Sequence, residues 1–357
     1  MTLIIAEAGV NHNGDAELAR QLVLAAHQAG ADIVKFQTFK AKNLVTEQAT
    51  QADYQKKNTG KEESQLAMLQ RLELSYALHH ELVAQCQDLG IEFLSTAFDD
   101  ESLDFLVNDL KLKRLKIPSG EITNAPLVLK HAQTGCDLIV STGMATVAEI
   151  EAVLGVIAFG YLNPQVTQAS RADFEAAYAS DEGQQALREK VCVLHCTTEY
   201  PAPMNEINLR AMDSLRETFK LAVGYSDHSH GITVPIAAVA RGASIIEKHF
   251  TLDNNLEGPD HKASLEPHEL AAMTQAIRQV EQALGDGVKR PTVSEVRNKA
   301  IARKSLVAAR AIQQGQVITA EDLAVKRPGS GRSPFDYWQV VGQVSQHDYQ
   351  PGDLIRD

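Results

Sequence analysis

Over roughly the first 280 residues, short continuous apolar runs alternate with stretches of helical spacing. The runs are LIIAEAGV (3–10), DIVKFQTF (32–39), EFLSTAF (92–98), RLKIPSGE (114–121), LIVSTGM (138–144), VCVLHCTTEYPAP (191–203), LAVGYSD (221–227) and SIIEKHFTL (244–252). They predict eight strands. Between and after them, apolar residues recur at helical intervals. This predicts helices over 16–30, 66–89, 99–110, 124–135, 146–160, 207–219, 232–243 and 266–287. Asp15 precedes the first of these as a cap. The polar stretch from Lys40 to about Gln65 reads as a long loop, and 163–189 as a polar helical insertion.

Strands made of continuous apolar runs suit a parallel sheet buried on both faces. Eight strand–helix units favour an α/β fold of the (β/α)8 TIM-barrel type over a doubly wound sheet. The pattern changes after Gly285. We expect a barrel domain over 1–284, a linker over 285–300, and a small module over 301–357 with short strands and Gly-containing turns. The exposed KRPGSG segment (326–331) is either a solvated loop or an arm that reaches an active site.

A TIM barrel carries its chemistry at the carboxyl ends of its strands. Here all eight ends are polar, with Glu7, Lys35, Gln37, Ser95, Thr96, Lys116, Ser119, Ser141, Thr142, Thr197, Thr198, Tyr200, Ser226, His228, Glu247 and His249 at or just beyond them. Side chains at i and i+2 of a strand share a face. Ser226 and His228 therefore point one way, as do Glu247 and His249. If the seventh and eighth strands are neighbours, two imidazoles and a carboxylate converge. That is either the floor of a metal-assisted site or two unrelated histidines. Lysines and hydroxyls at the other tips suit a phosphate or a carboxylate.

Charge and cysteine content narrow this picture. The 357 residues carry 34 basic and 46 acidic side chains, a formal net charge of -12. That argues against nonspecific nucleic-acid binding. It leaves open an anionic small substrate held by local cations. Cys192 and Cys196 flank His195, but a strand turns His195 to the face opposite both sulfurs, so buried thiols are expected rather than a zinc site. The N-terminus lacks a basic signal-peptide region, and no apolar run is long enough for a membrane span. A soluble, cytoplasmic protein is expected.

The motifs IAEAGVNHNG (from Ile5), VKFQT (Val34), FLSTAF (Phe93), KIPSGE (Lys116), LIVSTGM (Leu138), LHCTTEYPAP (Leu194), GYSDHS (Gly224), EKHFTLD (Glu247), EGPDH (Glu257) and VKRPGSG (Val325) cover nearly the whole chain. In them the chain resembles the sialic acid synthases, enzymes that make nine-carbon nonulosonic acids. The C-terminal module resembles their antifreeze-like (SAF, β-clip) domain. The resemblance implies condensation of phosphoenolpyruvate with the open-chain aldehyde of an N-acylated mannosamine-type sugar, releasing phosphate. It implies manganese or magnesium on His228 and His249, with Glu7 beside a metal-associated water. Lys35 and Thr96 match positions for the phosphoenolpyruvate carboxylate. Lys116, Ser119, Ser141, Thr198 and Ser226 match phosphate positions, Thr198 standing where some family members have Asn. Gln37, Tyr200 and Asp260 match sugar contacts. Arg327 matches an arginine delivered by the partner subunit, which implies a domain-swapped homodimer. CTTEYPAP and the insertion resemble synthases of the legionaminic type, which use 2,4-diacetamido-2,4,6-trideoxymannose; N-acetylmannosamine, giving N-acetylneuraminate, is the second choice. Two other readings stand beside these: a Schiff-base aldolase using Lys35 or Lys116, and a non-catalytic sugar-binding homologue.

Overall fold

Eight parallel strands follow one another around a closed barrel: β1 (Leu3–Gly9), β2 (Ile33–Thr38), β3 (Glu92–Ala97), β4 (Arg114–Ile117), β5 (Asp137–Ser141), β6 (Val191–Cys196), β7 (Ala222–Asp227) and β8 (Ile245–His249). Strand β1 pairs with both β2 and β8, which closes the ring. This computed structural model describes residues 1–356 apart from 54, 57–59, 61 and 62. It divides into two compact units, Met1–Gly285 and Asp286–Asp357.

Period-2 alternation builds the barrel. Ile5, Ile33, Leu94, Ile139, Leu194 and Ile245 form one buried cluster that fills its interior. Gly224 belongs to the same layer. A Cβ there would stand 2.5 Å from Leu194 Cδ2 and 2.6 Å from the Ile245 carbonyl oxygen, so only glycine fits. Two residues further along the same faces come Glu7, Lys35, Thr96, Ser141, Cys196 and Glu247. The change from aliphatic to polar is therefore a change of layer within one barrel. Alternate residues, such as Ile4, Val34, Phe36 and Leu115, pack outward into the larger core shared with the helices.

Local chemistry sets the helix ends. The Asp15 carboxylate accepts from the N–H groups of Glu17 at 2.7 Å and Leu18 at 2.9 Å. Thr146 and Glu149 cap each other reciprocally. The helix expected over 66–89 is two helices, Gln65–Leu72 and Tyr76–Leu89. Glu73 is extended, and Ser75 starts the second helix by accepting from the Leu78 N–H. The helix expected over 99–110 is an α-turn, Asp100–Asp104, that widens into a π-helical turn, Phe105–Asp109. The stretch read as a loop after Lys40 contains a helical turn, Ala41–Leu44, and a Thr50–Ser64 antiparallel bridge. Part of that expected loop (54, 57–59, 61 and 62) lies outside the described residues. The insertion before β6 forms two helices, Arg171–Ala179 and Asp181–Lys190. Its first helix packs on Val147–Leu162, where Phe159 and Phe174 meet edge to face at 5.4 Å.

In the C-terminal unit, β9 (Ser305–Ala308) and β10 (Leu323–Lys326) pair antiparallel over a core that includes Leu306, Ile312, Ile318, Val340, Tyr349 and Ile355. The stretch read as a linker over 285–300 carries most of an exposed helix, Val293–Ala302. The KRPGSG segment seats on the end of that helix. The Gly329 N–H donates to the Ala300 carbonyl at 2.7 Å, and a Cβ on Gly329 would lie 2.5 Å from Arg303 Cβ. Among the described residues no helix is long and apolar enough to cross a membrane.

Asp322 fastens this small unit. Its carboxylate accepts from the Thr319 N–H at 2.7 Å, the Thr319 hydroxyl at 2.7 Å and Arg310 Nε at 2.6 Å. Burial opposes its charge, but these partners outweigh burial and hold the carboxyl below its usual range. The stabilisation is therefore complete at neutral pH and is lost as pH falls through that depressed value. Asp322→Ala is expected to lower the melting temperature of this unit by roughly 5–10 °C at pH 7, with a smaller difference from wild type in acid, as read by calorimetry.

Candidate active site

The barrel mouth opens into a cavity of about 320 Å³. Glu7, Lys35, Gln37, Thr96, Lys116, Ser119, Ser141, Thr198, Tyr200, Ser226, His228, His249 and Asp260 all line it. Arg327 belongs to the C-terminal unit, where it is exposed and its Nε donates to the Ala302 carbonyl at 3.0 Å.

Four buried charges form the floor. Lys35 Nζ lies 2.6 Å from Glu7 and 3.6 Å from Glu247, while Lys116 Nζ lies 2.7 Å from the other oxygen of Glu247. Register explains the array. Glu7 is the Cα partner of both Lys35 and His249, and Glu247 is the partner of Ser226. Burial would push the Glu247 carboxyl up, but Lys116 and Lys35 outweigh it and hold the group well below its usual range. Burial dominates at Glu7, which the single close Lys35 only partly compensates, and its pKa rises to about 7. Burial also works against charge on Lys35, yet Glu247 and Glu7 more than offset it and its pKa rises. The two carboxylates thus take different states at neutral pH: Glu247 is a fixed counter-ion and Glu7 exchanges its proton.

Both histidines are neutral. Burial lowers His228 to about 4. It lowers His249 well below its usual value, reinforced by His228 and Lys35. The Thr197 carbonyl lies 2.6 Å from His228 Nδ1 and assigns the proton to that nitrogen. His228 Nε2 is left as a lone pair, 3.5 Å from Ser226 Oγ, whose own proton goes to Glu247 at 2.9 Å. His249 Nδ1 is buried without a partner among the described residues. The ring centroids stand 5.6 Å apart, and Tyr200 lies against His228 at 4.2 Å. Two neutral imidazoles with uncommitted nitrogens on one cavity supply two ligands of the kind a divalent metal takes, but among the described residues no group of three or more His, Cys, Asp or Glu side chains is arranged to hold one.

Across the cavity, the hydroxyls of Ser141 and Thr198 are buried with no partner among the described residues. Ser119 Oγ accepts from the Gly143 N–H at 2.8 Å. A Cβ on Gly143 would fall 2.2 Å from Thr198 Oγ1 and 2.8 Å from Ser119 Oγ, so the strand tips close up only around glycine. Lys116 and these hydroxyls form an anion-receptive end. Lys35 Nζ donates to Thr96 Oγ1 at 3.1 Å beside it. Asp260 is buried, and burial raises its carboxyl to about 6.

Other polar tips are structural. Ser95 faces outward and shares Thr38 Oγ1 with His79, at 2.7 and 2.8 Å. The Thr142 hydroxyl donates to the Leu194 carbonyl at 2.9 Å. His195 Nε2 sits 2.7 Å from the Ile207 carbonyl, away from both neighbouring sulfurs. Sequence reasoning missed the fully buried pair of Lys248 with Asp227 at 2.6 Å, which lies between the two histidine-bearing strands on their outer face. Its only sequence signal is that each residue is flanked by inward-pointing site residues. The sequence left the role of Glu247 open between binding a metal, orienting a ligand and holding the barrel together; its pairing with Lys35 and Lys116 fits the last. Two inward lysines needed a buried acid, and Glu247 is the inward acid on the strand next to Ser226.

A parallel barrel whose mouth joins an anion-receptive end to paired neutral imidazoles is the frame of an enzyme for small anionic substrates. Comparison with known proteins specifies the group. The NeuB family model matches residues 22–289, and the SAF domain model matches 303–357. N,N'-diacetyllegionaminic acid synthase of Campylobacter jejuni is 49% identical over 356 residues, covering 100% of this chain and 99% of that protein. N,N'-diacetyllegionaminic acid synthase of Legionella pneumophila is 45% identical, covering 95% of this chain and 89% of that protein. The crystal structure of N-acetylneuraminic acid (sialic acid) synthetase from Leptospira borgpetersenii, in complex with citrate, superposes with a TM-score of 0.66 at 31% identity, covering 83% of this chain and 90% of that one. The chain belongs to the NeuB family, with a SAF domain at its C-terminal end.

Removing one member of the buried charge array leaves its partner uncompensated. Glu247→Gln is expected to cost about 3–5 kcal/mol of stability in urea unfolding. Pairing Glu247→Leu with Lys116→Met is expected to recover a large part of that loss, without restoring activity.

Proposed function

We propose that this protein condenses phosphoenolpyruvate with the open-chain aldehyde of 2,4-diacetamido-2,4,6-trideoxymannose, giving N,N'-diacetyllegionaminate and phosphate. The observation that carries the reaction class is the single cavity in which buried lysines and unpartnered hydroxyls adjoin two neutral imidazoles. The full-length likeness to two N,N'-diacetyllegionaminic acid synthases supports this sugar over N-acetylmannosamine.

His228 and His249 would hold a divalent cation, manganese or magnesium, which when bound polarises the aldehyde as a Lewis acid. Lys116 with Ser119, Ser141, Thr198 and Ser226 grips the phosphate. Lys35 and Thr96 take the carboxylate of phosphoenolpyruvate. Gln37, Tyr200 and Asp260 orient the sugar. C3 of phosphoenolpyruvate forms the new bond to the aldehyde carbon, water adds at C2, and phosphate leaves by C–O cleavage. A carboxyl with a pKa near 7 is poised to take and return a proton at neutral pH. Glu7 does this for the adding water, with Lys35 2.6 Å away to accommodate either state.

Arg327 reaches the sugar's N-acyl group from the partner subunit of a domain-swapped homodimer, working in the cytoplasm. Support comes from the SAF domain match over residues 303–357, which include VKRPGSG, and from the anchoring of that segment on the helix Val293–Ala302. The Schiff-base alternative is disfavoured because Lys35 and Lys116 are both paired with carboxylates, at 2.6 and 2.7 Å. A lysine held as an ammonium is not a nucleophile.

Phosphate release from phosphoenolpyruvate is expected to require both the acceptor sugar and a divalent metal. A chelator should abolish it and manganese or magnesium restore it, whereas activity that survives chelation would favour the aldolase. His249→Ala is expected to abolish turnover with the fold intact by circular dichroism. Arg327→Ala is expected to raise KM for the sugar at least tenfold more than KM for phosphoenolpyruvate; equal rises would argue against the arm.

A further inference from the structure

The cavity has two unlike sides. The β4–β7 side carries Lys116 and the hydroxyls. The other side is mainly apolar, a wall built from Phe39, Leu44, Met68, Leu69, Leu72 and Phe98, which follow β2 and β3 or lie on the helix Gln65–Leu72, with Gln55 and Gln65 also on the lining. Phe39, Met68 and Leu72 are buried with Val10 in a small cluster of their own, separate from the barrel core. Leu44, Leu69 and Phe98 are only half-buried and keep surface free toward the cavity.

The wall is held in place from several directions. Gly14, with φ of +75°, lies so close to this helix that a Cβ would fall 2.4 Å from the Arg71 carbonyl oxygen. The Glu73 carboxylate accepts from the Ala41 N–H at 2.6 Å, tying the helix end to the turn that carries Leu44. Gln51 Nε2 points at Met68 Sδ from 3.3 Å. An apolar surface fixed this way and left open to a polar cavity is preorganised for an apolar group of the ligand.

Phosphoenolpyruvate offers little to such a surface, being almost wholly anionic. We propose that the wall selects the acceptor, receiving the methyl groups of a deoxygenated, doubly N-acetylated hexose. This rests on the sugar assigned under the proposed function and adds the residues that recognise it. A deoxy methyl gains from burial against Leu44, Leu69 and Phe98. A hydroxymethyl seated on Leu44, Leu69 and Phe98 would bury a hydroxyl against three side chains that have no hydrogen-bonding group.

The test uses the full chain with phosphoenolpyruvate, manganese and two acceptors: the 6-deoxy diacetamido hexose and N-acetylmannosamine. Leu69→Gln and Leu44→Gln add a polar group to the wall at half-buried positions, and glutamine keeps helix propensity at Leu69. The ratio of kcat/KM for the deoxy sugar to that for N-acetylmannosamine is expected to fall about tenfold in each variant. Leu69→Met should retain the wild-type ratio. If the wild type prefers the deoxy sugar and both glutamine variants keep that preference, the wall is not the selector, and this inference alone fails. If the wild type lacks the preference, the sugar assignment fails and takes the inference with it. An equal loss on both sugars would also overturn it.

Discussion

Four buried charges at the barrel mouth are the constraint on which the site depends. Glu7, Lys35, Glu247 and Lys116 come from β1, β2, β8 and β4, so the array ties opposite sides of the ring together. Each charge is removed from water, and only mutual attraction in good geometry makes that tolerable. The array also sets the state of everything around it. It keeps Glu247 ionised, lets Glu7 titrate near neutrality, and presents ammonium groups to the cavity beside histidines that burial keeps uncharged. Buried ammonium groups fixed beside neutral imidazoles preorganise the cavity for anionic groups before any ligand arrives.

The barrel was legible because its layers repeat every second residue. Five strands each place an aliphatic residue two positions before a polar one, and β6 places the Cys196 thiol there, so apolar runs with polar tips identify both the core and the mouth. The barrel residues matched to site positions through the family resemblance all line the same cavity. Which tips point inward was less clear. Ser95, Thr142 and Thr197 look as functional in sequence as their neighbours, but alternation turns Ser95 into the helix layer and backbone carbonyls take the other two hydroxyls.

What stayed hidden depends on contacts between distant segments. The pairing of Lys116 with Glu247 spans 131 residues and the width of the barrel. No local pattern announces it. The break at Glu73 was missed because Leu72, Leu74 and Leu78 carry the apolar pattern across it, and only Ser75 marks the new start. The apolar wall was hidden for a similar reason: a helix that faces a cavity has the same periodicity as one that faces a core.

The closure of the ring has a consequence for how the site comes into being. Glu7 on the first strand and His249 on the last are register partners across the seam. Nearly 250 residues must leave the ribosome before the proton-exchanging carboxyl and the second imidazole can meet. No shorter N-terminal fragment holds the assembled centre. A chain truncated before β8 lacks His249 altogether, as well as the acid that neutralises Lys116, so it is left with the cost of burying that charge and without the centre itself. The seam thus makes closure of the ring and assembly of the cavity floor a single event.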